Sequence, residues 1–263
     1  MSGRTRMIRR GTGHSYELDG EPVPGVTTIL RDGWPKPALK AWAGKMTAAY
    51  AVDHWDDLAE KTPTERFEEL RGAQYETTNA LAGRGTAIHA LAEQLLRGNE
   101  VDVPEELTGH VDACLAFLDD WKVAELAVEA VVVNRGNGAG AGRYMGCLDL
   151  LAVPHPNVCD DVWLFDWKTG TSGIYPETSL QLAAYAHAQT ILLGDDGQEV
   201  ALPKVEHAAA VWLRADGYDV YEVNIAEDVY RAFLYVQQVA AFYNRPRVEL
   251  VGESRRSPVE VAS

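Results

Sequence analysis

The spacing of hydrophobic positions changes near residue 124, where helix-like periodicity gives way to strand-like segments. Before this point, apolar residues recur with the spacing of one helix face, and prolines stand at first-turn positions. The pattern predicts four helices, at 37–52, 63–75, 79–96 and 105–123. After it, short runs rich in β-branched and aromatic residues predict strands at 127–133, 147–153 and 162–168.

Both ends of the chain add further elements. Residues 14–26 predict a hairpin around Asp19-Gly20. The remaining pattern predicts a helix at 176–193, strands at 207–214 and 218–224, and a closing helix at 227–243. Residues 134–143 are glycine-rich and predict a mobile connection, and 252–263 predict a disordered tail. The fold class indicated is α+β, with a central mixed sheet flanked by helices and a helical N-terminal half.

Composition narrows the protein class. With 263 residues and 46% hydrophobic side chains, the chain can bury the core of one large domain or two small ones. No apolar run is long enough to span a membrane, and no secretory signal is evident, so we expect a cytoplasmic protein with no membrane partner. Cys114, Cys147 and Cys159 are odd in number and widely spaced, which predicts reduced thiols rather than disulfides or paired metal knuckles.

The charge balance argues at first against nucleic acid. A net charge of -15 disfavours binding to phosphates, which depends on Lys and Arg. However, residues 1–45 hold eight Lys or Arg against four Asp or Glu, so this end has a basic excess. The acidic middle of the chain is typical of solvated helix faces.

Two charged side chains follow an apolar strand and point the same way. Because strand side chains alternate, Asp166 and Lys168 leave one face while Trp167 points to the other. If the strand containing Asp149 pairs with this one, the two carboxylates converge and repel each other unless a cation such as Mg²⁺ or Mn²⁺ is present. The alternative is an ordinary surface ion pair between Asp166 and Lys168.

Two helices carry polar pairs at a spacing of one turn. His89 and Glu93 share a face with Gly85, which allows close backbone approach, and Gln181 and Tyr185 share a face of the later helix. Taken alone, each pair is also typical of helices without a site.

Together and in this order, these segments resemble the PD-(D/E)XK nuclease superfamily, in its RecB-like exonuclease branch. The matching motifs are Gly85-x-x-x-His89-x-x-x-Glu93, Gly146-x-x-Asp149, Asp166-Trp167-Lys168 and Gln181-x-x-x-Tyr185. The hairpin and residues 26–30 are similar to the opening of phage members. The resemblance implies a restriction-endonuclease-like core at 79–245, preceded by an N-terminal hairpin and helical region at 1–78. Residues 246–263 are expected to form a disordered tail.

The resemblance also implies roles for individual residues. The metal-binding residues it implies are His89, Asp149, Asp166 and the carbonyl of Trp167. It implies that Lys168 positions the attacking water and offsets phosphate charge, and that Gln181 and Tyr185 support the site and approach DNA. Whether Glu129 and Glu93 join the site stays open.

The function implied is a Mg²⁺- or Mn²⁺-dependent deoxyribonuclease, most simply an exonuclease of phage recombination or DNA processing. A structure-specific endonuclease and a non-cleaving DNA-binding or scaffold subunit are the alternatives. The iron–sulfur cluster of some relatives is not expected, because this chain has three scattered cysteines. DNA is the expected partner; a single-strand annealing or recombination protein and a second copy of the chain stay open. The residues expected to grip DNA are Arg31, Lys36, Lys40, Lys45, Arg84 and Arg143.

Overall fold

The computed structural model describes residues 5–10, 13–136, 142–156, 160–171, 173–194 and 197–252. The strands in these ranges are β1 (Arg6–Arg10), β2 (Gly13–Leu18), β3 (Glu21–Val23), β4 (Ala124–Arg135), β5 (Arg143–Val153), β6 (Trp163–Lys168), β7 (Thr190–Leu193), β8 (Gln198–Ala201), β9 (His207–Arg214) and β10 (Gly217–Glu222). The helices are α1 (Val26–Gly33), α2 (Pro37–Asp53), α3 (Trp55–Ala59), α4 (Pro63–Leu96), α5 (Thr108–Trp121), α6 (Glu177–Ala186), α7 (Glu227–Tyr243) and α8 (Arg247–Leu250).

A seven-stranded mixed sheet forms the centre, in the order β10-β9-β6-β5-β4-β7-β8. Its neighbouring strands run antiparallel, except that β6 and β9 run parallel. The predicted α+β class with a large mixed sheet flanked by helices is therefore confirmed, as is the pairing of β5 with β6.

Each face of the sheet buries its own hydrophobic cluster. Helices α1, α6 and α7 cover one face, with Val26, Leu180 and Phe233 among the buried side chains. Helices α4 and α5 cover the other, where Ile88 and Phe117 pack against the sheet. The large sheet is therefore the middle layer of three.

The predicted N-terminal hairpin is present as β2 and β3, joined through Asp19 and Gly20. Both residues have positive φ, 56° and 86°, which is the conformation of a two-residue hairpin turn. A further strand, β1, extends this small sheet. The sequence did not predict β1 because three of its five residues are arginines.

Helix α4 corrects the prediction of two helices at 63–75 and 79–96. It runs unbroken for 34 residues and begins with a capping box, in which Thr62 and Glu65 bond to each other's backbone N–H. The sequence between the two predicted helices contains neither proline nor glycine, so nothing there ends the helix.

The helix predicted at 176–193 is also wrong in its second half. Helix α6 ends at Ala186, and the last four residues form β7. This strand pairs with β4 on one side and β8 on the other, so sheet hydrogen bonds override the local helical pattern.

Other predictions concern the ends and loops of the chain. The region predicted as a tail begins with the short helix α8, and the residues from 253 onward lie outside the described ranges. Most of the glycine-rich connection, at 137–141, and Cys159 also lie outside them. Among the described helices, none is both long and apolar enough to cross a membrane.

Candidate metal centre

The candidate site lies where β5 and β6 separate. Their pairing covers Leu150–Ala152 against Trp163–Phe165 and stops before Asp149 and Asp166. At the point of separation the Asp149 side chain accepts a hydrogen bond from the Trp167 backbone N–H at 2.8 Å. The Asp149 carboxylate therefore takes the place of a backbone acceptor on β5. We call the gap that opens between the two strands at Asp149 and Asp166 the notch.

Strand β4 is distorted on the other side of β5. Glu129 has a φ of 48°, a left-handed conformation that is uncommon for residues other than glycine. The Cys147 thiol donates to Glu129 Oε2 at 3.4 Å. Leu148 and Leu150 lie in different hydrophobic clusters, so β5 also departs from simple alternation at Asp149. Glu129 and Asp149 thus both lie at irregular positions of paired strands.

Helix α4 brings the imidazole to these carboxylates. His89 Nδ1 lies 3.5 Å from Asp149 Oδ1. Glu93, one turn later, binds Arg97 at 2.9 Å. The predicted close approach at Gly85 is present, because a Cβ there would lie 3.1 Å from Thr169 Oγ1, just beyond Lys168.

A possible ligand group results from this arrangement. One ligand atom each from His89, Glu129 and Asp149 lies within 4.8 Å of the others. Carboxylates suit Mg²⁺ and Mn²⁺, whereas imidazole suits first-row transition metals, so this mixed donor set fits Mn²⁺ better than Mg²⁺. The structure thus brings Glu129 to the candidate site.

Asp166 and Lys168 lie beside that group rather than in it. As the alternation predicts, both point to the α6 side of the sheet, where the Lys168 ammonium contacts Asp166 Oδ2. Gln181 on α6 accepts from Lys168 Nζ at 3.2 Å and donates to Asp166 Oδ1 at 3.1 Å. The Asp166 side chain is only 3% exposed, so this is no ordinary surface ion pair. Metal ligation by Asp166 stays a prediction.

Tyr185 lies behind this network. Its hydroxyl accepts from Gln181 Nε2 at 3.3 Å, and its ring packs against Gly146, where a Cβ would lie 2.4 Å from Cε1. Tyr185 is buried, and its implied role in supporting the site and approaching DNA stays a prediction. The Trp167 side chain is buried against Phe117 on the opposite face, and ligation through its carbonyl stays a prediction.

The two cationic groups of the site hold their protons firmly. Burial lowers the pKa of His89, but Asp149, with Asp166 and Glu129 behind it, outweighs burial and raises that pKa to about 9. Burial likewise opposes the charge of Lys168, and Asp166 and Asp149 outweigh it, so the pKa of Lys168 lies above its ordinary value. The imidazolium balances part of the negative charge of the carboxylates, and a metal ion that bound this nitrogen would have to displace its proton.

The carboxylates differ in how well their charge is compensated. Burial by itself would raise the pKa of Asp149, but His89 and the Trp167 N–H outweigh burial and hold this pKa below its usual range. Burial raises the pKa of Asp166, and Lys168 offsets only part of that effect. Burial, followed by the charge of Asp149, raises the pKa of Glu129 to about 7. Within the His89–Glu129–Asp149 group, Glu129 is therefore the carboxylate whose charge is less well compensated.

Three of the six basic residues expected to grip DNA have other contacts. Arg31 pairs with Asp32, Arg143 donates to the Leu18 carbonyl, and Arg84 lies 2.7 Å from the His110 ring. Within the described residues, no ion pair engages the remaining three, Lys36, Lys40 and Lys45. The gripping role stays a prediction.

The two described cysteines are in different settings. Cys114 is buried in the α5 core, where burial raises its pKa to about 12. Cys147 lies in β5, where its thiol donates to Glu129. Burial also raises the pKa of Cys147, so both thiols are held in the protonated form.

Comparisons with known proteins give no family. No family model matches the chain, and no curated protein matches it. A solved structure, the crystal structure of SSO0001, matches 52% of this chain and 58% of its own, at 15% identity and a TM-score of 0.33. The match spans less than two thirds of that chain, and a likeness at this level carries no argument about function.

Proposed function

We propose that this protein is a metal-dependent deoxyribonuclease with a restriction-endonuclease-like core, acting as an exonuclease in DNA recombination or processing. The observation that supports this most is the ammonium of Lys168, held by Asp166 and Gln181 beside the His89–Glu129–Asp149 group. A fixed cation next to a possible metal site is what hydrolysis of a phosphodiester needs.

The residues divide into two functional groups under this proposal. His89, Glu129 and Asp149 hold the metal, which when bound polarises the scissile phosphate and lowers the pKa of a bound water. Lys168 stays protonated, so it acts as a positive charge that orients the water and offsets developing phosphate charge rather than as a general base. Gln181 and Tyr185 fix the direction of Asp166 and Lys168.

An exonuclease is favoured because the residues expected to reach DNA carry no sequence-reading pattern. Of the six residues expected to grip DNA, the three without the contacts described above are lysines on or next to α2, and an ammonium suits phosphates rather than base edges. The proposed partner is therefore DNA bound through its backbone.

Digestion of end-labelled linear DNA and of a covalently closed circle, each with Mg²⁺, Mn²⁺ or EDTA, tests the proposal. We expect metal-dependent release of label from linear DNA, no release in EDTA, and an intact circle. Rapid nicking of the circle would indicate an endonuclease. Binding of DNA without cleavage under every metal condition would indicate a scaffold subunit.

A further inference from the structure

A second surface adjoins Lys168 on the neighbouring strand. The parallel register of β6 and β9 places Trp212 beside Lys168. Neighbouring strands are about 4.8 Å apart, and paired residues project from the same face of the sheet. Trp212 therefore stands on the same face as Lys168. It is only partly buried, whereas Val211 and Leu213 on either side are fully buried in the opposite core.

Three side chains form this surface, which we call the β9–β10 platform: Trp212, Arg214 and Tyr221. The Arg214 guanidinium lies 4.4 Å from the centroid of the Trp212 ring. The Tyr221 ring lies 6.5 Å from that ring, tilted by 51°, and is 45% exposed. The platform thus combines two aromatic rings with a planar cation.

The platform is held in place by hydrogen bonds at its edges. Trp212 Nε1 donates to the Gly170 carbonyl at 2.6 Å, which ties the platform to the segment just after Lys168. Arg214 binds Asp219 at 2.6 Å and Asp216 at 3.2 Å. Its charge is therefore already balanced by two carboxylates, which disfavours phosphate binding and leaves the guanidinium face turned away from Trp212 as the group it offers.

Partly exposed aromatic rings beside a phosphate-handling site suit one ligand class. Nucleobases stack on aromatic side chains and on arginine planes regardless of sequence, whereas bases in a duplex already stack on each other. A partner of the platform must therefore present unpaired bases.

We infer that Trp212, Arg214 and Tyr221 stack an unpaired nucleotide next to Lys168, which makes single-stranded DNA ends the preferred substrate. That the bound strand is a substrate rests on the proposed nuclease function. The stacking itself is testable without cleavage.

The test is fluorescence anisotropy of two labelled probes of equal length, in Ca²⁺ so that the acidic site is screened, with intact probe verified on a gel. One probe is oligothymidylate, and the other is a base-free deoxyribose phosphate strand. We expect the wild type to bind the thymidylate strand about 5- to 150-fold more tightly than the base-free strand, the effect of one stacked base.

Variants separate stacking from folding. Trp212→Ala should abolish most of that preference, Tyr221→Ala should reduce it, and Trp212→Phe should keep most of it although the bond to Gly170 is lost. Trp55→Ala removes an equally large side chain that is 69% exposed on α3, and should leave the preference unchanged.

Two results would overturn the inference: equal binding of both strands by the wild type, or an unchanged preference in both Trp212→Ala and Tyr221→Ala. A stacking preference in a protein that never cleaves DNA would refute the proposed nuclease and leave the platform standing. Cleavage of DNA by a protein that binds both strands equally would refute the platform and leave the proposed nuclease standing.

Discussion

Replacing Glu129 by Gln should stabilise the metal-free protein at alkaline pH. The folded state holds the pKa of Glu129 at about 7, against an ordinary value of 4.5. Since the unfolded chain releases this proton more readily, the free energy of unfolding falls as pH rises from the unfolded to the folded pKa. Above about pH 7 Glu129 is charged in the folded state, and the cost of burying that charge lowers the free energy of unfolding in full. Below the pKa of the unfolded chain this cost disappears.

The size of the effect follows from the difference between the two pKa values. At 1.36 kcal/mol per pKa unit, the rise from 4.5 to about 7 corresponds to at most about 3.4 kcal/mol. Because Glu129 is partly exposed, a gain of about 1 to 3 kcal/mol is the expected range for Glu129→Gln at about pH 8. The Gln oxygen can still accept from the Cys147 thiol, so the substitution keeps the acceptor for that donor.

Thermal melts in EDTA at about pH 8 and about pH 5 measure this effect. We expect a rise in Tm of roughly 2 to 12 °C at the higher pH and a much smaller one at the lower pH. Glu125→Gln removes an exposed carboxylate from the same strand and is the matched control. With Mn²⁺ the wild type should instead be the more stable of the two proteins. The bound metal stabilises the wild type by about 2.7 kcal/mol at a hundredfold excess of metal over Kd, and it stabilises the variant by less. A variant that melts at or below the wild type at both pH values would refute the reasoning.

Three further predictions concern Lys168, Gly146 and the cysteines. Lys168→Ala should slow cleavage by orders of magnitude in single-turnover assays while DNA and Mn²⁺ affinities change little, and loss of DNA binding instead would contradict the role given to Lys168. Gly146→Ala should lower stability by about 1 to 3 kcal/mol because the new Cβ displaces the Tyr185 ring, whereas Gly72→Ala, which meets nothing within 4 Å in the described structure, should not. Purified protein should be colourless, and stoichiometric iron with absorbance near about 400 nm would overturn the cysteine interpretation.

Local rules predicted the part of the site that depends on alternation along neighbouring strands. Asp166 and Lys168 share a face, Trp167 points to the opposite core, and Asp149 approaches because its strand is the sequence neighbour. The one-turn spacing on α6 likewise placed Gln181 and Tyr185 together.

The remainder depends on long-range pairing that the sequence does not display. The left-handed backbone at Glu129 arises inside a paired strand, with no glycine to signal it. Strand β7 forms because β4 offers it a partner, against a helical local pattern. Trp212 reaches Lys168 only through the parallel pairing of β6 with β9, which joins segments some forty residues apart. A half-buried tryptophan in a strand does not by itself indicate which strand lies next to it.

The most direct test of the account is the release of nucleotides from end-labelled linear DNA as a function of Mn²⁺ concentration, for wild type, Asp149→Asn and Asp57→Asn. Asp57 is exposed on α3, away from the strands of the site, so its variant controls for preparation and for loss of a single charge. We predict saturable release by wild type and Asp57→Asn, none in EDTA, and a loss of several orders of magnitude in Asp149→Asn. Release by Asp149→Asn at the wild-type rate would contradict a metal-dependent centre at this notch.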